Sequence, residues 1–207
     1  MSIALITFDI FGTVLDWRRG LREALGGNLP GADFDRIVDR QGELEREEFR
    51  LYSAIVARSL VEVCGVDPAR AARIGADAGR WPLFADSAEA MRRLRTVAPC
   101  AATTNSDLLH GDQVRAQLGA LDGWICAEEV RAYKPDPAIW QAASRRMGVP
   151  FGRDWWHVSA YADYDLATAR SLGLTCVLVE RPHHRPGPAD VVVADLLELA
   201  RVASGAA

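Results

Sequence analysis

The feature that most constrains the fold of this chain is a regular alternation, after residue 85, of short apolar segments with helix-forming segments. The apolar segments have the sequences CAATTNSD, GWICAEEV, WWHVSA and TCVLVE, and the stretches between them have the composition of helices. Two neighbouring parallel strands need a crossover of about a dozen residues or more, which is usually a helix. The alternation therefore predicts a parallel β-sheet with helices on both faces.

The first 85 residues predict one strand followed by a long helical stretch. Ile3 to Phe8 form an apolar, partly β-branched run that ends at Asp9, which indicates a buried strand. From Trp17 to about Trp81 the sequence is charged and helix-favouring, and its apolar residues recur at helical spacing. These apolar residues are Ile37, Leu44, Leu51 and Ile55. We therefore predict a core domain of residues 1–15 and 86–207 and an inserted helical cap domain of residues 16–85.

Composition and charge restrict the partners of the chain. It has 207 residues, of which 49% are hydrophobic, so it can bury a full core without disulfides. The net charge is −4, and no run of five like charges occurs. Both observations argue against a nucleic-acid interface and against a polybasic membrane patch. We expect a small-molecule substrate, with neither nucleic acid nor membrane as partner, and the sequence leaves a homodimer open.

The cysteines and the N-terminal segment indicate the cellular setting. Cys64, Cys100, Cys126 and Cys176 are far apart, with no CxxC pair and no histidine at zinc-ligand spacing. They predict neither a zinc site nor a disulfide framework. The segment MSIALITFDIFGT has no basic region, and its apolar run is too short for a signal peptide or a membrane span. We therefore expect a cytoplasmic protein.

Polar residues stand at the ends of four predicted strands. The clusters are Asp9 to Thr13, Thr104 to Ser106, Lys134, and Ser159 to Asp165. Each has an ordinary structural explanation, such as a capped turn, a surface lysine before a proline or a helix N-cap. In open parallel sheets, however, ligands bind beyond the carboxyl ends of the strands. The clusters therefore mark the predicted site.

The order of these clusters resembles the haloacid dehalogenase superfamily. A DxxGT motif at Asp9 is followed by Thr104-Asn105 at a strand end, by KPD at Lys134, and by an acidic cluster that precedes AR and LG. The resemblance extends from Asp9 to about Val179. It implies a Rossmann-like α/β core with an inserted helical cap and an active site between the two.

Phe11 separates the chemistries within this superfamily. Its phosphatase members place a second aspartate two residues after the nucleophile, where it protonates the leaving alkoxide. Phenylalanine supplies no proton, and a departing halide needs none because it is the anion of a strong acid. The opening DIFGTVLDW accordingly resembles the type II (S)-2-haloacid dehalogenases, in which an aromatic residue occupies this position.

The last motif supports the same interpretation. Phosphatase relatives use additional acids there to hold Mg²⁺ against a phosphate group. In HVSAYADYD the first of these positions, five residues before Asp165, is Ala160. We therefore predict that the protein uses no metal and no cofactor. Asp163 is the exception, because a different alignment of the motif would make it a metal-binding carboxylate.

The resemblance also assigns catalytic roles. It implies that Asp9 is the nucleophile and that Lys134 keeps the Asp9 carboxylate ionised. Asp165 would pair with the lysine and help to activate the hydrolytic water. Thr13 and Ser159 would support these groups by hydrogen bonds.

A larger set is expected to bind the substrate. It comprises Ile10, Phe11, Arg40, Thr104, Asn105, Trp140 and Tyr161. The hydroxyl and amide of Thr104 and Asn105 can donate to a substrate carboxylate or an oxyanion. Trp140 and Tyr161 depart from the usual residues of the family; with Trp17 they could line an apolar pocket, and core packing is an equal alternative.

Arg40 opens the stretch RQGELE, which resembles the segment that carries the cap arginine of these dehalogenases. A guanidinium can hold a carboxylate or draw off a departing halide. We therefore also expect Arg40 to act in catalysis. The alternative is a solvated helix face, because Arg22, Arg36, Arg46 and Arg50 occur in the same insertion.

Together these features predict a hydrolase that converts short (S)-2-haloalkanoates to (R)-2-hydroxyalkanoates through an aspartyl ester. The expected substrates are chloroacetate and bromoacetate, and fluoroacetate is an open case. The alternatives are hydrolysis of another activated acid of the azetidine carboxylate type, a phosphatase, and a noncatalytic binder of small acids. The four histidines have no partner spacing, so the sequence assigns them no chemistry.

Overall fold

The computed structural model describes residues 2–27 and 29–205. Its centre is a six-stranded parallel sheet with the strand order β3-β2-β1-β4-β5-β6. The strands are β1 (Leu5–Phe8), β2 (Cys100–Thr104), β3 (Gly123–Cys126), β4 (Trp155–Ser159), β5 (Thr175–Val179) and β6 (Val191–Val193). Strands β1, β2 and β5 are buried at every position. Burial on both faces explains why their sequences are nearly continuous apolar runs rather than alternating patterns.

The chain enters the sheet at its centre. Phe8 in β1 lies opposite Ala102 of β2 and Val158 of β4. From β1 the chain builds outward to β2 and β3, and then returns to build β4, β5 and β6 on the other side. The connections that follow β1 and β4 therefore diverge, and a crevice opens beyond the carboxyl ends of these strands. Asp9 is the first residue after β1.

Helices make up most of the remaining chain. They are α1 (Trp17–Ala24), α2 (Gly31–Glu45), α3 (Tyr52–Cys64), α4 (Pro68–Ala76), α5 (Ser87–Leu94), α6 (Leu108–Leu118), α7 (Ala127–Val130), α8 (Ala138–Met147), α9 (Ala167–Ser171) and α10 (Leu196–Ala203). A 3₁₀ turn at Ala78–Arg80 and a π-helical turn at Ala162–Leu166 complete the set in the described residues. No helix within these residues is both long enough and apolar enough to cross a membrane.

Helices cover both faces of the sheet. Leu5 and Ile6 are neighbours in β1 and belong to two different buried clusters, because successive side chains of a strand point to opposite faces. The cluster around Ile6 contains Met91 of α5 and Leu199 of α10. The cluster around Leu5 contains Trp140 of α8. The arrangement confirms the α/β fold that the alternation predicts.

Helices α1 to α4 form the insertion between β1 and α5. Leu15 forms an antiparallel bridge with Leu83, where the chain leaves the core and returns to it. Helices α3 and α4 approach closely, since a Cβ at Gly75 would overlap the carbonyl oxygen of Ser53. Ile55 of α3 belongs to the same buried cluster as the Ile6 face of the sheet. Insertion and core therefore share one apolar interior.

Polar contacts also join the insertion to the core. The carboxylate of Asp107, which precedes α6, accepts hydrogen bonds from the amides of Tyr52 at 2.7 Å and Ser53 at 2.9 Å. These two amides belong to the first turn of α3 and have no partner within that helix. His110 Nε2 forms a 2.9 Å hydrogen bond with the carbonyl oxygen of Gly75. A core carboxylate thus caps a helix of the insertion.

Candidate active site

The loop after β1 holds Asp9 at the centre of the sheet edge. The carbonyl oxygen of Ile10 accepts hydrogen bonds from the amides of Thr13 to Leu15, which closes the loop into a tight turn. Gly12 has a φ of 95°, and a Cβ there would overlap the hydroxyl of Tyr161. This position therefore requires glycine both for its backbone conformation and for the approach of the tyrosine.

Asp9 shares a buried cation with Asp165. Lys134 Nζ donates to Asp9 Oδ1 at 3.0 Å and to Asp165 Oδ2 at 2.8 Å. The second oxygen of Asp9 accepts a 2.8 Å hydrogen bond from the hydroxyl of Thr13, which itself accepts from the amide of Ala160 at 2.9 Å. The ionic side chains are at most 5% exposed, so water screens their interaction little. The structure thus brings together four residues predicted for the site.

The three ionisable groups differ in the direction of their pKa shifts. Burial raises the pKa of Asp9, with Lys134 opposing and Asp165 adding to the shift. Burial acts in the same direction on Asp165, but the charge of Lys134 and hydrogen bonds from Lys134 and His157 hold its pKa well below the usual range. For Lys134, burial acts to lower the pKa, and the charges of Asp165 and Asp9 raise it instead. Asp165 and Lys134 are therefore ionised in the resting site.

His157 orients Asp165, a role that sequence reasoning did not assign. Its Nε2 lies 3.0 Å from Asp165 Oδ1 and its Nδ1 lies 2.9 Å from the hydroxyl of Thr7. Trp155 Nε1 donates to the same hydroxyl at 2.8 Å, so the Thr7 hydroxyl donates its own proton to His157 Nδ1. The proton of the imidazole ring is then on Nε2, which donates to Asp165. The signal in the sequence is a histidine inside an apolar strand, because such a side chain must find a buried partner.

The end of β2 supplies hydrogen-bonding groups on the other side of Lys134. Asn105 Oδ1 accepts from the backbone amide of Lys134 at 2.6 Å, and Asn105 Nδ2 donates to the Lys134 carbonyl at 3.2 Å. The hydroxyl of Thr104 is buried and has no hydrogen-bond partner among residues 2–27 and 29–205. Because buried hydroxyl groups are normally paired, this group is available to a ligand.

These groups open into a cavity of about 1030 Å³ between the strand ends and the insertion. Asp9, Thr104, Asn105 and Lys134 line its floor. Much of the rest is aromatic and consists of Phe11, Trp17, Phe49, Tyr52, Tyr133, Tyr161 and Tyr164. Charged side chains such as Glu45 and Arg185 complete the lining. The cavity therefore combines a polar floor with walls that are partly aromatic and partly charged, which suits a small polar ligand.

Some predicted residues support the floor without lining the cavity. Ile10 is fully buried below the loop after β1. Trp140 is also fully buried, and its ring centroid lies 6.0 Å from Lys134 Nζ and 5.4 Å from the ring of His157. The hydroxyl of Ser159 accepts a 3.1 Å hydrogen bond from the amide of Tyr161. The predicted substrate contacts of Ile10 and Trp140 are therefore replaced by packing, because their side chains point into the core.

Arg40 is also outside the cavity lining. Its guanidinium donates through Nε to Glu62 at 2.5 Å and through Nη1 to Glu43 at 2.7 Å, and these bonds raise its pKa. Glu62 belongs to α3 and Glu43 to α2, so Arg40 joins two helices of the insertion. The structure therefore places it on the helix face that the alternative predicted. The arginines that line the cavity are Arg46, Arg131 and Arg185.

Among the cavity residues that the sequence did not predict, two are charged groups that contact the predicted site. Glu45, the last residue of α2, accepts a hydrogen bond from Asn105 Nδ2 at 3.3 Å. Arg185, in the RPHHRPGP stretch, donates to Asp163 at 3.0 Å, and its backbone pairs with Ala160 and Ala162. An acidic or basic residue in a charged segment gives no sequence signal for the face it occupies, which explains both omissions.

The floor of the cavity does not suit a divalent cation. Lys134 Nζ lies between Asp9 and Asp165, and both oxygens of Asp165 already accept hydrogen bonds. Position 160 supplies only a methyl group, and Asp163 pairs with Arg185. In the described part of the chain, no cluster of three or more His, Cys, Asp or Glu side chains could hold a metal ion. The mechanism below uses no metal, and metal independence remains a prediction.

Sequence comparisons match the chain to one hydrolase family. The profile of the haloacid dehalogenase-like hydrolases matches residues 3–173. The fructose-1-phosphate phosphatase YqaB of Escherichia coli (strain K12) is 28% identical over 185 residues, which cover 83% of this chain and 94% of that protein. The (S)-2-haloacid dehalogenase 4A of Burkholderia cepacia is 29% identical over 107 residues, which cover 50% of this chain and 46% of its own length.

Solved structures with a similar fold include several dehalogenases. The L-2-haloacid dehalogenase PA0810 superposes with a TM-score of 0.83 at 28% identity, over 97% of this chain and 99% of that one. The L-2-haloacid dehalogenase of Xanthobacter autotrophicus, solved with chloropropionic acid covalently bound, gives 0.83 at 18% identity over the full length of both chains. At that identity the second likeness concerns the fold alone.

Proposed function

Because the chain belongs to the haloacid dehalogenase-like hydrolases, we propose that it hydrolyses short (S)-2-haloalkanoates through an ester formed on Asp9. The observation that carries this proposal is the pairing of a buried carboxylate–lysine site with Phe11. The ring of Phe11 packs against Tyr52 and Trp81 at centroid distances of 5.4 and 6.1 Å. The position that would protonate an alkoxide is thus filled by a hydrocarbon, which suits a leaving group that departs as a stable anion.

In the first step Asp9 attacks C2 of the substrate. A carboxylate oxygen forms a bond to C2 while the carbon–halogen bond breaks, and the halide leaves with the bonding electrons. Attack from the side opposite the halogen inverts the carbon. Lys134 and Thr13 fix the orientation of Asp9, which makes the encounter effectively intramolecular once the substrate is bound. The free hydroxyl of Thr104 is available to the substrate carboxylate.

In the second step water attacks the carbonyl carbon of the Asp9 ester. The oxyanion forms on the Asp9 oxygen that did not attack C2, and the donor already bonded to that oxygen stabilises it, which is Lys134 Nζ for Oδ1 or the hydroxyl of Thr13 for Oδ2. Asp165 is the adjacent anion and takes part in accepting the water proton. Collapse of the intermediate breaks the bond between the Asp9 carbonyl carbon and the substrate oxygen. The proton that Asp165 took from the water passes to the departing oxygen, so the product leaves as the (R)-2-hydroxy acid. The remaining water proton is lost to solvent, and the Asp9 carboxylate is regenerated.

A phosphatase is the second candidate, because the curated relative with the longer match is a sugar-phosphate phosphatase. Two features of the site weigh against this candidate. Phe11 supplies no proton to a leaving alkoxide, and Ala160 supplies no carboxylate at the position where phosphatase relatives have a metal-binding acid.

A substrate panel separates the two activities. We expect chloride release from (S)-2-chloropropionate and chloroacetate to continue undiminished in excess EDTA. In a separate assay with Mg²⁺ and no EDTA, we expect no phosphate release from fructose 1-phosphate. The Asp9→Asn variant serves as the control for the halide assay. Chloride release that depends strictly on Mg²⁺, or phosphate release without chloride release, would contradict the proposal.

A further inference from the structure

Glu45 places a carboxyl group from the insertion directly over the polar floor of the cavity. It is the last residue of α2, it lines the cavity, and its Oε2 accepts a 3.3 Å hydrogen bond from Asn105 Nδ2. The other bonds of the Asn105 amide go to the backbone of Lys134. Asn105 Nδ2 therefore donates one of its hydrogens to the Lys134 backbone and the other to Glu45.

The charges around Glu45 are unevenly balanced. Lys134 is the nearest interior cation, but its ammonium is already bonded to Asp9 and Asp165. Arg46, the next residue, is exposed and lines the cavity, and Arg40 is committed to Glu43 and Glu62. Arg131 and Arg185 also line the cavity, and Arg185 is paired with Asp163. With Glu45 ionised, the carboxylates of Asp9, Asp165 and Glu45 share the ammonium of Lys134 as the one buried cation at the floor.

Three buried neutral groups also lie near Glu45. They are the phenol rings of Tyr52 from α3, Tyr133 from the segment before Lys134, and Tyr164 from the π-helical turn, whose pKa values are all raised, mainly by burial. None of them supplies a positive charge. A substrate that carries its own carboxylate would therefore enter a negatively charged interior.

We propose that Glu45 is a specificity-determining residue that admits carboxylate ligands when it is protonated and rejects them when it is ionised. In the protonated form its hydroxyl donates to the ligand carboxylate, and the Asn105 amide is free to do the same. In the ionised form it repels the ligand and keeps the Asn105 donor for itself. The chemistry of the ligand rests on the proposed function, whereas the charge test below does not need turnover.

Glu45 changes its charge within a pH range in which binding can be measured. Burial raises its pKa to about 8, although Lys134, the Asn105 hydrogen bond and Arg46 act in the opposite direction. The affinity for a carboxylate should therefore be high below this pH and should fall as the pH rises through it. Asp9 gives the opposite dependence for turnover, because the nucleophile must be ionised, so binding and turnover report on different groups.

The test is the binding of propionate, an unreactive carboxylate, measured by calorimetry at about pH 6.5 and about pH 9. We expect the Kd of the wild type to rise about tenfold, since about a tenth of Glu45 is protonated one unit above its pKa. In the Glu45→Gln variant the side-chain amide donates in place of the protonated carboxyl and carries no charge, so the Kd should change less than about twofold between the two pH values. Asp33→Asn, on the same helix but outside the cavity lining and paired with Arg36, is the matched control and should behave as the wild type.

A second ligand isolates the effect of charge. Propionamide has nearly the same shape as propionate and no charge, so its binding should not change between the two pH values in either protein. An equal pH dependence of propionate binding in wild type and Glu45→Gln would overturn the proposal. Absence of propionate binding to both proteins at about pH 6.5 would also overturn it, because no carboxylate would then bind beside Glu45. Chloride release is measured separately, so failure of the proposed function is distinguishable from failure of the role of Glu45.

Discussion

At the scale of single residues, the site depends on one ammonium that two carboxylates share. Lys134 is the only lysine among the 24 basic residues of the chain, and all the others are arginines. An ammonium is compact enough to lie 3.0 Å from Asp9 and 2.8 Å from Asp165 at once, whereas a planar guanidinium is larger and directs its donors in a fixed fork. This composition would have been a further signal for Lys134 in the sequence.

Replacement of Lys134 by methionine should destroy activity and make stability depend on pH. Asp9 and Asp165 would remain buried without a cation, which costs about 3 to 5 kcal/mol when one partner of a buried pair is removed. Their pKa values would rise, so the free energy of unfolding should recover as the pH falls and the carboxyls become protonated. Urea denaturation at about pH 5 and about pH 8 measures the effect. Equal destabilisation at both pH values would contradict the shared-cation interpretation.

The second residue-scale prediction concerns Arg40. Its guanidinium bonds Glu43 and Glu62 and does not line the cavity, so Arg40→Gln should retain kcat/KM within about threefold. The matched variant Arg46→Gln removes a cation that does line the cavity and should raise KM for an anionic substrate. The assay is chloride release by both variants. A loss of tenfold or more in a folded Arg40→Gln protein would restore the role that the resemblance implies for this arginine.

The comparison of sequence with structure is clearest at this scale. Asp9 follows β1 and Thr104 is the last residue of β2. Lys134 and Asp165 lie in the connections after β3 and β4, and the geometry of a parallel sheet brings such positions together. Arg40 and Glu45 lie on one helix with charged residues on most of its faces. Their spacing alone does not show which of the two side chains points into the cavity. The fold around α2 decides this, and it places Glu45 rather than Arg40 in the cavity lining.

At the scale of elements, the insertion is held by the start of α3. Asp107 caps this helix from the core, and its own backbone amide donates to His110 Nδ1 at 3.3 Å. Tyr52, the first residue of α3, lines the cavity. The same contact therefore stabilises the insertion and positions a wall of the site. Sequence reasoning predicted the helices but not this cap, because the two partners are more than fifty positions apart.

Replacement of Asp107 by alanine should therefore lower both stability and activity. It leaves two buried amides of α3 without an acceptor, and a lost cap costs about 1 to 2 kcal/mol. The matched control is Asp67→Ala, which removes an exposed cap of α4 that bonds only the amide of Arg70. We expect the control to change stability less and to leave KM unchanged. Urea denaturation and chloride-release kinetics of both variants test this, and equal effects would contradict it.

The π-helical turn at Ala162–Leu166 shows what spacing alone could not predict. A π turn has wider spacing than an α turn and occurs frequently at functional sites. Here it directs Asp165 into the core, where it is fully buried, and leaves Asp163 on the rim at 43% side-chain exposure. The sequence left the alignment of these two acids open because it contains no signal for a π turn.

At the scale of the whole molecule, the topology explains why the fold could be predicted. Strands buried on both faces must be apolar, and parallel neighbours must be separated by crossovers, so the fold leaves a strong pattern in the sequence. The cavity depends in addition on how α2 and α3 lie over the strand ends. That arrangement follows from side-chain packing, which leaves no periodic signal.

The covalent step is the central claim, and a single turnover in heavy-oxygen water tests it most directly. With enzyme in excess over (S)-2-chloropropionate, the product oxygen should come from the Asp9 carboxylate, and solvent oxygen should enter the enzyme when the ester is hydrolysed. Mass spectrometry should therefore find unlabelled hydroxy acid and a heavy peptide that contains Asp9. Label in the product with none on that peptide would mean that water attacks C2 directly, and it would contradict the roles proposed for Asp9 and Lys134.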